Sequence, residues 1–135
     1  MGIWGALFGF IFGMYILTKI KHVKLLTVLD VVAPSIALAQ AIGRVGNYIN
    51  QEGFGQPTGK MWGVFIKFEN RPSEYAQFSR FHPTFFYEAI LNLIIAVIVL
   101  SISKRVKTPG HLFAIYLILY STARLVLETW RIDTW

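Results

Sequence analysis

The sequence predicts an all-α polytopic membrane protein with about four transmembrane helices and one folded loop outside the membrane. Composition is the first observation: 55% of the 135 residues are hydrophobic and only 15% are charged, whereas an ordinary soluble domain has about 25% charged residues. The apolar residues are also gathered into four blocks, and basic residues cluster in two of the junctions between them. We therefore expect residues 1–135 to form a single integral membrane domain.

The four apolar blocks cover residues 3–18, 25–43, 85–103 and 111–130. Each has nearly the length of about 20 apolar residues that a helix needs to cross a bilayer. The second block contains Pro34, which should kink the helix rather than end it, because neighbouring helices can satisfy the freed carbonyl group.

The basic residues predict how the helices are oriented. Three lysines lie in the junction at 19–24 and three basic residues in the junction at 104–107, so both junctions are expected on the cytoplasmic side. The segment 50–82 is then an extracytoplasmic loop, or arm, between the second and third helices. Within it, MWGVFIKFE (61–69) repeats apolar residues with a period of two, which predicts a short strand.

The second block places polar side chains on one face of its helix. Ala37, Gln40, Arg44 and Asn47 follow one another at spacings of three, four and three, and such residues share a face. A charged side chain facing lipid costs free energy, so this face is expected to point toward partners. An arginine that reaches up to the lipid headgroups is the alternative interpretation of Arg44.

The fourth block repeats the pattern, since Tyr116, Tyr120, Arg124 and Glu128 are each four residues apart. The alternative is an Arg124–Glu128 pair with a purely structural role, but such a pair on a helix contributes only about 0.2–0.5 kcal/mol, too little to offset the removal of two charges from water. We therefore expect a polar cavity between the second and fourth helices. Glu88 either lines this cavity or is a helix-entry residue.

Two arginines from different helices are suited to a phosphodiester, because a guanidinium group presents a rigid fork of donors to phosphate oxygens. The predicted ligand is therefore an anionic membrane phospholipid. The net charge of +6 does not indicate nucleic acid, because the basic residues are scattered between apolar blocks. Since there is no cysteine, a thiolate metal site is excluded, and we expect no metal and no cofactor.

Three segments together resemble the prolipoprotein diacylglyceryl transferases of bacterial inner membranes. GRVGNYINQEGFG (43–55) looks like the signature segment of that family, HPTFFYE (82–88) is similar to its HPSQLYE-type segment, and RLVLETWRID (124–133) resembles its late-helix motif. The segments occur in the family's order and, with the residues between them, cover most of residues 30–133.

The resemblance implies an enzyme of lipoprotein biosynthesis in the bacterial cytoplasmic (inner) membrane. It would transfer the diacylglyceryl group of phosphatidylglycerol to the lipobox cysteine of a prolipoprotein and release glycerol phosphate. By motif, the implied substrate-binding residues are Arg44, Asn47, Glu52 and Gly55, and the implied catalytic residues are Tyr120, Arg124 and Glu128.

The resemblance also implies that the family's pattern is truncated at both ends here. The family's histidine-glycine-glycine motif would end at about Met1, and its final helix would follow Trp135. A second class of function is a non-catalytic polytopic membrane protein that binds anionic lipid, such as a scaffold or a transporter subunit. That class would require Arg44 but not Asn47, Glu52 and Gly55 beside it.

Overall fold

The computed structural model describes residues 2–132, which form four helices joined by two short connections and one folded loop. The helices are α1 (Gly2–Lys21), α2 (Leu25–Asn50), α3 (Thr84–Ser103) and α4 (His111–Glu128). Among the described residues, α2, α3 and α4 are long and apolar enough to cross a membrane. The predicted helical membrane fold is confirmed, and α1 corresponds to the first predicted block.

Helices α2, α3 and α4 form the core, and α1 packs against α2 alone within the described chain. The core is built on small side chains, because Ala33 and Ala37 of α2 and Ala96 of α3 are almost completely buried. Small residues allow helix backbones to approach closely. Close packing of this kind is a usual means of helix association in a membrane, where the hydrophobic effect does not drive helices together. The rest of the buried cluster consists of Ile95, Val99, Leu112 and Tyr116.

Helix α2 continues through Pro34, as predicted, and extends to Asn50, seven residues beyond the end of the apolar block at 43. Its one acidic residue, Asp30, accepts hydrogen bonds from the backbone N–H groups of Gly110 (2.6 Å) and Phe113 (2.8 Å). These amides lie at the start of α4, where the helix dipole favours a negative charge. Asp30 therefore ties α2 to α4 at the end of the bundle away from Arg44.

The loop between α2 and α3 folds over the other end of the bundle. It contains a two-stranded antiparallel sheet of β1 (Val64–Phe65) and β2 (Arg80–Phe81), in which Val64 pairs with Phe81. The predicted strand is thus present but only two residues long, because the chain turns into a 3-10 helix at Phe68–Asn70. A second 3-10 helix spans Ser73–Tyr75.

The loop has a small core of its own, composed of Phe54, Ile66, Phe81 and Phe85. An isolated β-bridge between Gly55 and Arg131 joins the beginning of the loop to the segment after α4. This bridge brings the ends of α2 and α4 and the beginning of α3 together at one end of the bundle.

Candidate functional site

At this end of the bundle, Glu88 is the centre of a cluster of charged side chains. It lies in the second turn of α3 and is only 4% exposed. Its Oε1 accepts hydrogen bonds from Nη1 of Arg124 (3.1 Å) and Nη1 of Arg131 (2.8 Å), and its Oε2 forms an ion pair with Nη2 of Arg44. Three guanidinium groups from α2, α4 and the segment after α4 therefore meet at one buried carboxylate.

The polar face of α2 is turned toward α3 and α4, as its spacing predicts. Ala37 on this face is completely buried, and Gln40 one turn later accepts a hydrogen bond from the hydroxyl group of Tyr116 (3.0 Å). Arg44 lies one further turn along and reaches Glu88. The arginine points into the bundle and not toward the lipid headgroups, so the alternative interpretation of Arg44 as a snorkelling residue is wrong.

The polar stripe of α4 faces the same interior. The rings of Tyr116 and Tyr120 stack with their centroids 6.0 Å apart, and Arg124 follows at the next turn with 22% of its side chain exposed. Nη2 of Arg124 lies 3.6 Å from Oε2 of Glu128. Arg124 thus contacts two carboxylates, of which Glu88 is buried and Glu128 is about one third exposed.

Arg131 completes the cluster, although sequence reasoning did not select it as a site residue. Its side chain is 12% exposed, and its Nε is buried without a hydrogen-bond partner among the described residues. The available signal was its place in the late-helix segment RLVLETWRID (124–133), although Arg131 lies beyond the end of α4 and helical spacing does not place it. Glu88 was considered only as a cavity-lining or helix-entry residue, and its place at the centre was not predicted.

The turn after α2 is made by two residues with a left-handed backbone, Gln51 and Gly53. The φ angles of Gln51 and Gly53 are 54° and 66°. The backbone of Gly53 also packs against the side chain of Asn47, because a Cβ at Gly53 would lie 2.8 Å from Asn47 Nδ2. The backbone carbonyl of Asn47 accepts a hydrogen bond from the N–H group of Glu52 (2.9 Å). Asn47 thereby shapes the turn from both its side chain and its backbone.

Gly55 lies where three chain segments touch. Its N–H group donates to the carbonyl of His82 (2.8 Å), and a Cβ on it would press against the carbonyl oxygen of Trp130 and lie 2.6 Å from Cγ2 of Thr84. Only glycine fits without displacement of backbone. Gly55 therefore holds the loop against the segment that carries Arg131.

Glu52 does not join the charged cluster. It is exposed, and its Oε1 accepts a hydrogen bond from Nδ2 of Asn50 (3.1 Å). Seven residues were selected from the sequence. Four of them surround or adjoin Glu88, namely Arg44, Tyr120, Arg124 and Glu128. Two others, Asn47 and Gly55, shape the adjoining turn, and Glu52 lies at the surface.

The charges of the cluster do not cancel. Three arginines face two carboxylates, those of Glu88 and Glu128, which leaves a surplus of one positive charge. Beside the cluster lies a crevice of about 10 Å³ between α3 and α4, and not the polar cavity predicted between α2 and α4; it is lined by Glu88, Leu91, Asn92, Tyr120, Ala123, Arg124 and Leu127. Such a volume holds about one water molecule. An anion larger than water would therefore have to displace the Glu88 carboxylate or bind on the accessible side of the guanidinium groups.

A much larger apolar groove of about 550 Å³ lies directly beside the crevice, between α3 and α4. Leu91 and Leu127 line both spaces, so the groove adjoins the crevice at these two side chains. Tryptophans 62 and 130 stand at the groove together with His82, whose Nδ1 lies 3.4 Å from the hydroxyl oxygen of Tyr87. The described residues contain no cluster of three or more side chains of the metal-binding types.

Comparison with known proteins links this geometry to a family. A family model described as prolipoprotein diacylglyceryl transferase matches residues 1–135. Similar curated proteins include one from Cutibacterium acnes, 41% identical over 134 residues, and one from Prochlorococcus marinus, 44% identical over 139 residues. A third, from Trichormus variabilis, is 40% identical over 141 residues. All three are named phosphatidylglycerol–prolipoprotein diacylglyceryl transferase.

These matches cover nearly all of this chain but only part of each relative. They include 98%, 98% and 99% of the chain, and 45%, 46% and 50% of the three relatives in the same order. The chain therefore spans about half the length of the curated relatives that it matches.

Proposed function

Because the chain belongs to the prolipoprotein diacylglyceryl transferase family, we propose that it forms part of the site that transfers a diacylglyceryl group from phosphatidylglycerol to a prolipoprotein. The acceptor is the thiol of the lipobox cysteine, and the location is the bacterial cytoplasmic membrane. The observation that carries the proposal is the meeting of Arg44, Arg124 and Arg131 at one place beside an apolar groove.

The phosphodiester of the lipid is the ligand that this cluster suits best. A phosphodiester carries one negative charge, which matches the surplus positive charge of the cluster. The buried Nε of Arg131 is a donor without a partner in the described structure, and guanidinium donors bind phosphate oxygens in pairs. Arg44 and Arg131 are assigned to headgroup binding, and Arg124 to the phosphate at the point of reaction.

The groove between α3 and α4 supports the same orientation of the lipid. Its apolar walls, including Leu91 and Leu127, begin where the charged cluster ends. A phosphate among the arginines would place the acyl chains along these walls, where they exchange one apolar surrounding for another and remain in contact with apolar side chains. The lipid can thus enter from the side of the bundle without leaving the bilayer.

The chemical step needs stabilisation of negative charge. The thiolate sulfur of the acceptor attacks the glycerol carbon of the diacylglyceryl group, a carbon–sulfur bond forms, and the bond between that carbon and the phosphate oxygen breaks. The electron pair of that broken bond goes to the oxygen of the departing glycerol phosphate. The thiol has lost one proton and the glycerol phosphate takes up one proton, so the step balances. Arg124 stabilises the charge on this oxygen, and pre-oriented donors of this kind usually make the largest single contribution to catalysis.

The remaining assigned residues act around this step. Glu128 orients Arg124 from the adjacent turn, and Tyr120 lines the crevice beside Arg124. Asn47 and Gly55 hold the turn and the loop against the cluster. The exposed carboxylate of Glu52 is available to a substrate group that approaches from outside, and this assignment rests on the motif alone.

The test reconstitutes the chain in vesicles of phosphatidylglycerol with a lipobox peptide, with and without the remaining segments of a relative supplied in trans. Mass spectrometry would detect the thioether-linked diacylglyceryl peptide. Arg44→Ala should abolish capture of phosphatidylglycerol, and Arg80→Ala, an exposed arginine of the loop, is the matched control. The proposal fails if the completed protein forms no thioether, or if Arg44→Ala binds the lipid normally.

A further inference from the structure

The loop between α2 and α3 exposes large apolar side chains in one short stretch. Met61 is 92% exposed, Trp62 60%, Phe65 58% and Phe68 70%; we call these four residues the aromatic patch. Isolated exposed apolar side chains are common, but a contiguous group marks an interaction surface. The patch is separate from the arginine cluster around Glu88.

The patch is held in place and carries basic groups. The guanidinium carbon of Arg71 lies 5.6 Å from the ring centre of Phe65 and 5.7 Å from that of Phe68. The same guanidinium group is fixed by hydrogen bonds to the carbonyl oxygens of Ile66 (2.8 Å) and Ala76 (3.1 Å). Two aromatic rings are therefore set around one cation, an arrangement that stabilises it by about 0.5–1 kcal/mol at exposed sites.

The patch lies next to the ends of two helices. Gln51, the residue that ends α2, accepts hydrogen bonds through its side-chain oxygen from the N–H group of Lys67 (3.0 Å) and from Nδ2 of Asn70 (3.1 Å). Phe65 pairs with a residue of β2, and α3 begins only three residues after β2 ends. The patch is thus tied to the ends of two helices that are able to span the bilayer.

We propose that the aromatic patch is seated in the headgroup region of the bilayer and that membrane lipid is its partner. Trp62 favours this region because its ring has an apolar body and a polar N–H group, and the apolar side chains of Phe65 and Phe68 suit the boundary between headgroups and acyl chains. Lys60, whose ammonium group lies 5.8 Å from the ring centre of Trp62, and Arg71 would supply positive charge to lipid phosphates. A charged peptide partner would match the basic groups but not the apolar side chains.

The absence of cysteine from the chain makes a direct test simple. Phe65→Cys and Phe68→Cys are each labelled with an environment-sensitive fluorophore in vesicles, and Glu74→Cys, an exposed position of the same loop, is the control. We expect blue-shifted emission at 65 and 68, and a several-fold greater loss of emission with nitroxide-bearing lipids than at 74. Iodide in the water should quench the label at 74 several-fold more strongly.

The proposal is overturned if iodide quenches the labels at 65 and 68 as strongly as the label at 74. It is also overturned if shielding appears only after a lipobox peptide is added, because the partner would then be a peptide. The two positions are tested separately, and the helical circular dichroism of each variant shows that the bundle is intact. The outcome does not depend on transferase activity.

Discussion

Replacement of Glu88 by glutamine should lower the free energy of unfolding by about 3 kcal/mol, because it removes the one carboxylate that three guanidinium groups share. Removal of one partner from a buried ion pair costs about 3–5 kcal/mol, since the other charge is left uncompensated. The lower end applies here: the three arginine side chains retain 22%, 22% and 12% exposure, and the glutamine oxygen still accepts hydrogen bonds.

Glu128→Gln is the matched control for this change. Glu128 also pairs with Arg124, but at 3.6 Å, four residues away on the same helix and with 32% of its side chain exposed. A pair of this kind contributes only about 0.2–0.5 kcal/mol. The two substitutions remove the same charge from the same cluster, but Glu88 is buried and contacts three arginines, whereas Glu128 is partly exposed and contacts one.

The assay is reversible unfolding in mixed micelles by titration with a denaturing detergent, followed by circular dichroism. The reasoning is refuted if Glu88→Gln costs less than about 1 kcal/mol, the range of surface ion pairs, or no more than Glu128→Gln. Phosphatidylglycerol gives a second measurement, because a ligand present at 100 times its Kd stabilises by about 2.7 kcal/mol. If the phosphate binds among the arginines, this stabilisation should be larger in Glu88→Gln than in the parent chain.

Three further predictions follow from the geometry. Gly55→Ala should lower the free energy of unfolding by about 1–3 kcal/mol, because there is no space for the added Cβ. Gly59→Ala should be neutral, because nothing lies within 4 Å of a Cβ at that position. Thermal unfolding in detergent measures both variants. Asp30→Ala should lower the free energy of unfolding by about 1–3 kcal/mol, because it leaves backbone amides at the start of α4 without an acceptor. Those amides should then exchange hydrogen faster, and an unchanged exchange rate would contradict the tie between α2 and α4. In the completed protein, Glu128→Gln should lower the transfer rate less than Arg124→Ala, because loss of an orienting partner is milder than loss of the cation, and the reverse order in a rate assay would refute the assignment.

The helices and their buried faces could be predicted because both depend on local spacing. The four apolar blocks correspond to α1–α4, and the face that carries Gln40 and Arg44 points inward. The apolar block ends at 43, but the face predicted from Ala37 to Asn47 already continues the helix, and α2 ends at Asn50. The chain turns at the left-handed pair Gln51 and Gly53.

The centre of the site could not be predicted from spacing, because it is made by contacts between residues far apart in the sequence. Glu88 follows the start of α3 so closely that a role at the helix terminus was equally plausible. Arg131 lies beyond the last turn of α4, and its position is set by the bridge to Gly55. The expected polar cavity between α2 and α4 is not what the described residues form: Glu88 reaches Arg44 and Arg124 from α3, and the crevice beside it lies between α3 and α4.

A carboxylate at the centre of an anion site is consistent with lipid binding if two roles are distinguished. Glu88 assembles the three arginines when lipid is absent, and the arginines bind the phosphate when lipid is present. Without Glu88, Arg44, Arg124 and Arg131 would repel one another whenever lipid is absent, and this end of the bundle would lose the contact that joins α3 to α2 and α4. A guanidinium group has five N–H donors, so the contacts to Glu88 occupy only a minority of those available. The donors that remain, with the surplus positive charge, still attract a phosphate. The affinity for lipid should therefore be set by the competition between phosphate and the Glu88 carboxylate for the same three cations.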